Sequence, residues 1–181
     1  LQGAQISLWG VGTKLITAQD NPSFGGVYKM AAEEDHNGQM QPKIKLSNNP
    51  EKITNPGVKK VLRIYDKASG YMKADLIALE EEVYDPEKDL TIFHPVDTWK
   101  RMTFKGGTYT LRSMVPIFRG GECVYESPSV MEIRDYCAKE QETLYRESRR
   151  LVNPQTVPVD LSQPLWDMKQ AMMHAYGKSD L

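Results

Sequence analysis

Alternating apolar and polar positions predict a β-rich middle to the chain. The clearest stretch is KKVLRIYDKASGYMKADLIALEEE, in which two strand-like runs flank a turn at Lys67–Gly70. Gly70 can supply the positive φ that such a reversal requires. Upstream, VYKMAAEE is predicted to form a strand that leads through Asn37 and Gly38 into a hairpin with KIKLS, because valine and tyrosine favour strands and the two turn residues follow them.

A further hairpin is predicted near the centre of the chain. Its strands are TYTLRSMVPIF and ECVYES, joined through Arg119, Gly120 and Gly121. Pro116 marks the first of them as an edge or bulged strand, because proline cannot donate a ladder hydrogen bond. The run Glu80–Glu82, which follows an earlier strand, is expected to end that strand in solvent rather than to form an acid–base pair, since adjacent side chains point to opposite faces.

The last third of the chain changes to a helical period. Ser129 and Glu132 form a capping box at the start of one predicted helix, and Ser162 caps another that ends at Gly177. Each helix is predicted to pack through one stripe of side chains that recur at the helical period. The members of the first stripe are Val130, Ile133, Cys137, Leu144 and Leu151, and those of the second are Leu165, Met168, Met172 and Tyr176.

The first residues read as a strand that ends on closely spaced glycines. Gln5–Trp9 is predicted to be the strand, and Gly10 and Gly12 follow it in the sequence GVGT. Glycines at such a place allow either a tight reversal or the close approach of an anion such as phosphate. The motif alone does not choose between the two. Turn formers at 20–22 then lead to a predicted boundary near Gly25.

These elements predict an α+β protein in three parts. They are a first segment over 1–24, a β-rich domain over 25–126 and a C-terminal helical segment over 127–181. A chain of 181 residues suits one domain or one domain plus a piece of another.

Composition narrows the function classes. No apolar run approaches the ~20 residues that a membrane span requires, so no membrane association is expected. The N-terminus has no basic region before an apolar core, and Cys123 and Cys137 lie in no metal-ligand spacing, so free thiols in the cytoplasm are expected. The net charge of −1 excludes a globally basic nucleic-acid binder.

Two local groups of residues are candidate sites. Counting Lys43, Lys45, Lys52, Lys59, Lys60 and Arg63 against Glu51 gives six minus one, a local charge of +5. This basic segment could attract ATP or phosphoribosyl pyrophosphate, but a structural role is favoured because charge runs are usually solvated. Nucleic acid is disfavoured because no aromatic residue interleaves the segment. His36, His94 and His174 have no ligand at metal spacing, and no metal site is predicted.

Four separated motifs carry a family resemblance. GAQISLWGVGTKLITA, PSFGGVYKM, KIKLSNNPEKITNPGVKKVLRIYD and RLVNPQTVPVDLSQPLWDMK, in this order, resemble the C-terminal portion of nicotinate phosphoribosyltransferase. The resemblance implies condensation of nicotinate with phosphoribosyl pyrophosphate to nicotinate mononucleotide in NAD biosynthesis, coupled to ATP hydrolysis. It also implies a homodimer and an α/β barrel, of which 1–24 would be the last part.

The same resemblance implies roles for the glycine-rich segment. Gly10 and Gly12 would present N–H groups to the ribose 5′-phosphate, and Thr13 would add its hydroxyl. Catalytic residues are expected upstream of Leu1, so the chain alone is expected to be inactive and to act with the remainder of its own polypeptide. ATP and Mg²⁺ are expected for the whole enzyme, with neither assigned to this fragment. The alternatives are a sister phosphoribosyltransferase for nicotinamide or quinolinate, a freestanding phosphate- or nucleotide-binding module, and a structural domain.

Overall fold

A computed structural model describes residues 5–8, 10–23, 28–97 and 99–177. Within these ranges it has a mixed β-sheet, two small hairpins and three helices, which confirms the α+β class. The elements are α1 (Thr13–Ile16), β1 (Ala32–Glu34), β2 (Met40–Pro42), a 3₁₀ turn (Pro50–Lys52), β3 (Lys59–Asp66), β4 (Met72–Leu79), β5 (Leu90–Phe93), β6 (Arg101–Phe104), β7 (Tyr109–Ser113), β8 (Phe118–Arg119), β9 (Glu122–Cys123), α2 (Val130–Glu142), β10 (Val159–Leu161) and α3 (Gln163–Gly177).

The main sheet contains six strands in the order β6-β5-β10-β4-β3-β7. β10 runs parallel to β4, and every other pairing in this sheet is antiparallel. The β3–β4 hairpin is present as predicted, with Leu62 opposite Leu76 and Gly70 at φ +72° in the turn. Two further two-stranded sheets pair β1 with β2 and β8 with β9.

Alternation along the strands builds a core on each face of the main sheet. On one face a cluster includes Ile64, Leu76 and Ile92, all with no exposed surface. On the other face Leu79 and Leu161 pack with Leu165 of α3. Since Leu165 is fully buried and α3 begins directly after β10, burial of this helix face fixes α3 against the sheet.

Three predicted strands differ in the structure. Residues 5–8 form no strand, and Ile6 and Leu8 are exposed, because no described residue offers them a ladder partner. β1 pairs with Met40–Pro42 and not with KIKLS. The short turn at Asn37 and Gly38 brings Met40–Pro42 directly opposite β1. The long run from Thr108 is divided: β7 pairs with β3 at the sheet edge, and β8 forms its own hairpin with β9 through Gly120 and Gly121.

The C-terminal helices confirm their predicted starts. Ser129 forms the capping box with Glu132, and the Ser162 hydroxyl accepts the Leu165 N–H at 3.2 Å. The packing stripe predicted for α2 is wrong within this chain: Val130 is 80% exposed, no residue of α2 is buried, and the helix ends at Glu142, before the last two members of the stripe.

The division of the chain into three parts remains a prediction. The boundary between 24 and 25 lies outside the described residues. Across the boundary at 126 and 127, β10 of the C-terminal segment pairs with β4 and β5 of the middle segment. In the described part of the chain, no helix has the length and apolar character needed to cross a membrane.

Candidate functional site

The glycine-rich segment leads into the short helix α1. Gly12 is its N-cap residue with φ −112° and ψ −173°, and its carbonyl accepts the N–H groups of Leu15 at 3.2 Å and Ile16 at 3.3 Å. This conformation is open to any residue, so the backbone itself does not require glycine at position 12. A Cβ added at Gly10 or Gly12 would meet no atom within 4 Å. Any need for bare backbone here would therefore come from a group approaching from outside.

The amide groups of this segment belong to exposed residues. The N–H groups of Val11, Gly12, Thr13 and Lys14 donate to no backbone acceptor among the described residues. Residues 10–16 are all exposed, and residues 10–15 line a shallow depression of about 430 Å³. Gly10, Gly12 and Thr13 thus share one open surface. This segment alone forms the lining, so the chain contributes one wall of the depression.

Five of the six cations in the basic segment fall into two groups in the structure. Lys43 pairs with Glu33 at 3.0 Å, and Arg63 pairs with Asp75 at 2.8 Å. Hydrogen bonding to Asp75 raises the pKa of Arg63. Lys60 donates to backbone carbonyls at Glu80 and Glu82. These three cations therefore have structural partners, in line with the favoured interpretation.

The other group consists of Lys52 and Lys59, together with Lys29, which lies outside the basic segment. All three line a depression of about 410 Å³. The remaining lining residues are Ala31, Glu51, Ile53, Thr54 and Asn55. Behind Asn55 lies Lys169 of α3, only 3% exposed, whose Nζ donates to Asn55 Oδ1 at 2.9 Å and to the Pro95 carbonyl at 3.1 Å. Sequence reasoning missed Lys29 and Lys169, because neither lies within the run of lysines.

Glu82 has a different place from the one predicted. Instead of ending a strand in solvent, it is half-buried, and its carboxylate accepts the Leu79 N–H at 2.7 Å, the Ser162 hydroxyl at 2.6 Å and the Tyr84 hydroxyl at 2.5 Å. The chain turns after β4 and brings Glu82 back beside the strand. Burial, reinforced by the bond to Glu82, raises the pKa of Tyr84. Glu82 is therefore a structural junction.

The histidines form no ligand set in the described ranges. Nδ1 of His94 accepts the N–H groups of Val96 at 3.3 Å and Asp97 at 2.9 Å, which stabilises the turn after β5. No group of three or more histidine, cysteine, aspartate or glutamate residues could hold a metal ion among the residues described.

Comparison with known proteins identifies the family. A family model described as the nicotinate phosphoribosyltransferase C-terminal domain matches residues 58–169, which is more than half of the chain. This chain belongs to the nicotinate phosphoribosyltransferase family.

Relatives and a solved structure support this assignment. Nicotinate phosphoribosyltransferase of Bacillus subtilis is 42% identical over 173 residues, which are 96% of this chain and 35% of the relative. The Caenorhabditis elegans enzyme of the same name is 35% identical over 91% of this chain and 28% of its own length. A crystal structure of human nicotinic acid phosphoribosyltransferase has the same fold, with a TM-score of 0.53 at 24% identity, over 67% of this chain and 23% of that one.

The match to the nicotinate phosphoribosyltransferase family has two parts. The domain match covers β3 to the middle of α3 and therefore the whole main sheet. The glycine-rich segment lies before Val58 and outside this domain, but the 173-residue match to the Bacillus subtilis relative leaves out only a few residues of the chain. The chain spans about a third of that relative's length.

Proposed function

We propose that this chain supplies the C-terminal part of an enzyme that condenses nicotinate with phosphoribosyl pyrophosphate. The products would be nicotinate mononucleotide and pyrophosphate, in a reaction coupled to ATP hydrolysis in NAD biosynthesis. The observation that carries the proposal is the family match over the main sheet together with 42% identity to the Bacillus subtilis relative. Sister enzymes for other pyridines would differ in a pyridine pocket, which we expect upstream of Leu1.

Within that reaction, the role we propose for Gly10, Gly12 and Thr13 is to hold the ribose 5′-phosphate. Free amide groups and a missing Cβ favour close contact with a phosphate oxygen, and the segment has both features. In barrel enzymes, phosphate commonly lies at loops after the last strands. We therefore infer that 1–24 completes an α/β barrel whose other strands lie elsewhere in the polypeptide, and that Gln5–Trp9 becomes a strand there.

The proposed chemistry explains why anchoring the phosphate would matter. As pyrophosphate leaves, positive charge develops at the anomeric carbon of the ribose, so the enzyme must hold the two anionic ends of the substrate in place. The glycine-rich segment would fix one end and would move no proton. Groups that bind nicotinate and pyrophosphate are expected in the remainder of the polypeptide.

The surface of the chain supports a large contact with that remainder. Its solvent-accessible area is 14204 Å², whereas a compact monomer of 20.6 kDa would have about 8,900 Å². Large apolar side chains contribute to the excess, among them Met114 at 70% and Phe118 at 67% exposure. Burying such groups against the rest of the enzyme would be favourable.

Other properties of the whole enzyme are part of the same proposal. We expect a cytoplasmic homodimer that uses ATP and Mg²⁺. Magnesium prefers several oxygen ligands, and no group of potential ligands was found in the described ranges. The described residues therefore do not fit the ion, and we assign it to none of them.

The decisive experiment uses Gly12→Val in the full-length enzyme. The new side chain would occupy the space proposed for the phosphate, so the KM for phosphoribosyl pyrophosphate should rise at least about tenfold, a loss of roughly 1.4 kcal/mol. The KM for nicotinate should stay within about twofold. Val11→Ala, which keeps both glycines, is the matched control. Equal KM values for Gly12→Val and the wild type would refute the phosphate site.

A second experiment tests the division of labour. The purified 181-residue chain should form no nicotinate mononucleotide from nicotinate, phosphoribosyl pyrophosphate and ATP. Turnover by this chain would show that its own residues complete the active site.

A further inference from the structure

Several lysines around the 3₁₀ turn donate only to neutral oxygens. Lys29 donates to the Lys52 carbonyl and Lys59 to the Gly57 carbonyl, while Lys169 bonds Asn55 and Pro95. Among the described residues, no carboxylate lies within 4.0 Å of these three ammonium groups or of the Lys52 ammonium. Elsewhere, most lysines that pair with a carboxylate are exposed to solvent, as Lys105 is in its pair with Asp89 at 2.7 Å.

Two of these ammonium groups have lost much of their hydration. Lys169 is 3% exposed and Lys59 is half-buried. Burial lowers the pKa of each of them. A buried cation that bonds only to neutral oxygens is costly, and a nearby anion would offset that cost.

The shape of the region gives an anion a place to bind. Lys29, Lys52 and Lys59 line the same depression of about 410 Å³, whose one acidic lining residue is Glu51. Three minus one gives a charge of +2 at the wall. Lys169 adds a fourth cation behind Asn55, which itself lines the depression. Lysine ammonium groups bind phosphate oxygens as compact point charges.

We propose that this depression, lined by Lys29, Lys52 and Lys59, binds a polyphosphate anion. The site shares no residue with Gly10, Gly12 and Thr13, so it is a second anion site on the chain. Several cations around one depression match a ligand with several negative charges better than a single carboxylate. The whole chain has a net charge of −1, so nonspecific attraction of anions is not expected from the protein as a whole.

Calorimetric titration of the 181-residue chain with inorganic tripolyphosphate tests the site. One saturable site is expected, at the lysine-lined depression, because the glycine-rich segment supplies only one wall of its own depression in this chain. Lys52→Gln and Lys59→Gln should each weaken binding about tenfold or more, because each variant loses a hydrogen bond between a charged ammonium group and the anion. Lys52 is exposed, so Lys52→Gln gives a clear result even if Lys59→Gln fails to fold.

Two controls separate this site from other causes. Lys67→Gln removes one positive charge outside the depression and should leave the affinity within about twofold of the wild-type value. Gly12→Val should also leave it unchanged, since that variant alters only the site proposed for the ribose phosphate. A parallel titration with ATP shows whether the site also recognises a nucleoside. Equal affinities for ATP and tripolyphosphate would indicate that only the polyphosphate chain is bound. Tighter binding of ATP would indicate that the triphosphate is recognised together with its nucleoside.

The results that would overturn the proposal are specific. Absence of saturable tripolyphosphate binding would do so, as would equal weakening by Lys67→Gln and Lys52→Gln. Loss of binding in Gly12→Val would assign the anion to the glycine-rich segment instead. Because the proposed catalytic role is tested by the KM of the full-length enzyme, either proposal can fail without the other.

Discussion

The Ser162 hydroxyl donates to Glu82 Oε1 over 2.6 Å while it accepts the Leu165 N–H at 3.2 Å. One side chain thus caps α3 and ties that helix to the segment that follows β4. Ser162 is only 1% exposed, so water cannot replace either bond when the hydroxyl is removed.

Ser162→Ala should therefore destabilise the chain. Loss of a helix cap costs about 0.5–2 kcal/mol, and loss of a buried bond to a carboxylate adds to it, so we expect about 2–3 kcal/mol in the free energy of unfolding. Urea unfolding measures it. Ser129→Ala removes the cap of α2, which has no buried residue, and should cost about 1 kcal/mol or less. Equal losses for the two variants would contradict the junction.

Asp160 gives a prediction for pH dependence. This residue is 5% exposed, its Oδ1 has no hydrogen-bond partner in the described structure, and burial raises its pKa above the model-peptide value of 3.8. A carboxyl group with a raised folded pKa stabilises the fold below the unfolded pKa, and this contribution is lost as pH rises through the folded pKa.

Asp160→Asn should accordingly raise the free energy of unfolding at pH 7 relative to the wild type. The difference should shrink as the pH falls from the folded pKa to 3.8 and should be nearly lost below 3.8, where the wild-type carboxyl is neutral in both states. Asp35→Asn is the control of opposite sign: backbone N–H groups of Gln39 and Asn37 lower the pKa of Asp35, so that variant should lose stability at neutral pH. Chemical unfolding from pH 3.5 to 7.5 tests both. A pH-independent difference for Asp160→Asn would disprove the buried charge.

Gly106 lies against another segment of backbone. A Cβ at this position would be 2.2 Å from the Glu87 carbonyl oxygen, a distance that only backbone movement can relieve. Gly106→Ala should cost at least about 2 kcal/mol in unfolding free energy, since overpacking typically costs 1–3 kcal/mol. Gly70→Ala, where a Cβ meets open space and only positive φ opposes it, should cost about 1–2 kcal/mol. Thermal unfolding that ranks the two variants in the reverse order would refute the close contact.

Glu140 attaches α2 to the main sheet. Its carboxylate accepts an N–H from each of Nη1 and Nη2 of Arg112, lies 3.9 Å from Arg63 Nη1 and accepts the Tyr65 hydroxyl at 3.4 Å. The bonds from Arg112 lower the pKa of Glu140. Since α2 buries no residue of its own, this contact is a main attachment of the helix.

Glu140→Gln should loosen α2 while leaving the main sheet stable. We expect amide hydrogen exchange in Val130–Glu142 to quicken at least about tenfold, because a charge-assisted bond contributes about 1.5–3 kcal/mol. Exchange in β3 and β4 should not change. Glu142→Gln, an exposed site on the same helix, is the matched control. Unchanged exchange in α2 of Glu140→Gln would show that other contacts hold the helix.

The sequence predicted those elements whose local signals are strong. The β3–β4 hairpin alternates over eight residues on each side of its turn, and the caps at Ser129 and Ser162 act on their own helices. β10 escaped prediction because three residues between Pro158 and Ser162 are too few to show a period, and its place is set by pairing with distant strands. β5 and β6, of four residues each, were missed for the same reason.

The candidate sites differ in how far sequence could reach them. Gly10, Gly12 and Thr13 are adjacent in the chain, so a motif identifies them, but their proposed role came from the family resemblance. The lysine-lined depression joins Lys29 to the turn near Lys52, with Lys169 bonded behind Asn55, and no local pattern connects residues so far apart. Burial, which removes the water around Lys169, likewise becomes visible only in three dimensions.

Three residues near the end of the chain determine when the sheet can be completed. Because β10 stands between β4 and β5, the β5–β6 hairpin joins the ladder of β3, β4 and β7 through the backbone pairing of β10. A ribosome releases Val159–Leu161 after all the strands that they connect, so the nascent chain carries the unpaired edges of β4 and β5 until these three residues emerge. Such late, long-range closure slows folding and leaves open edges on which other chains can add.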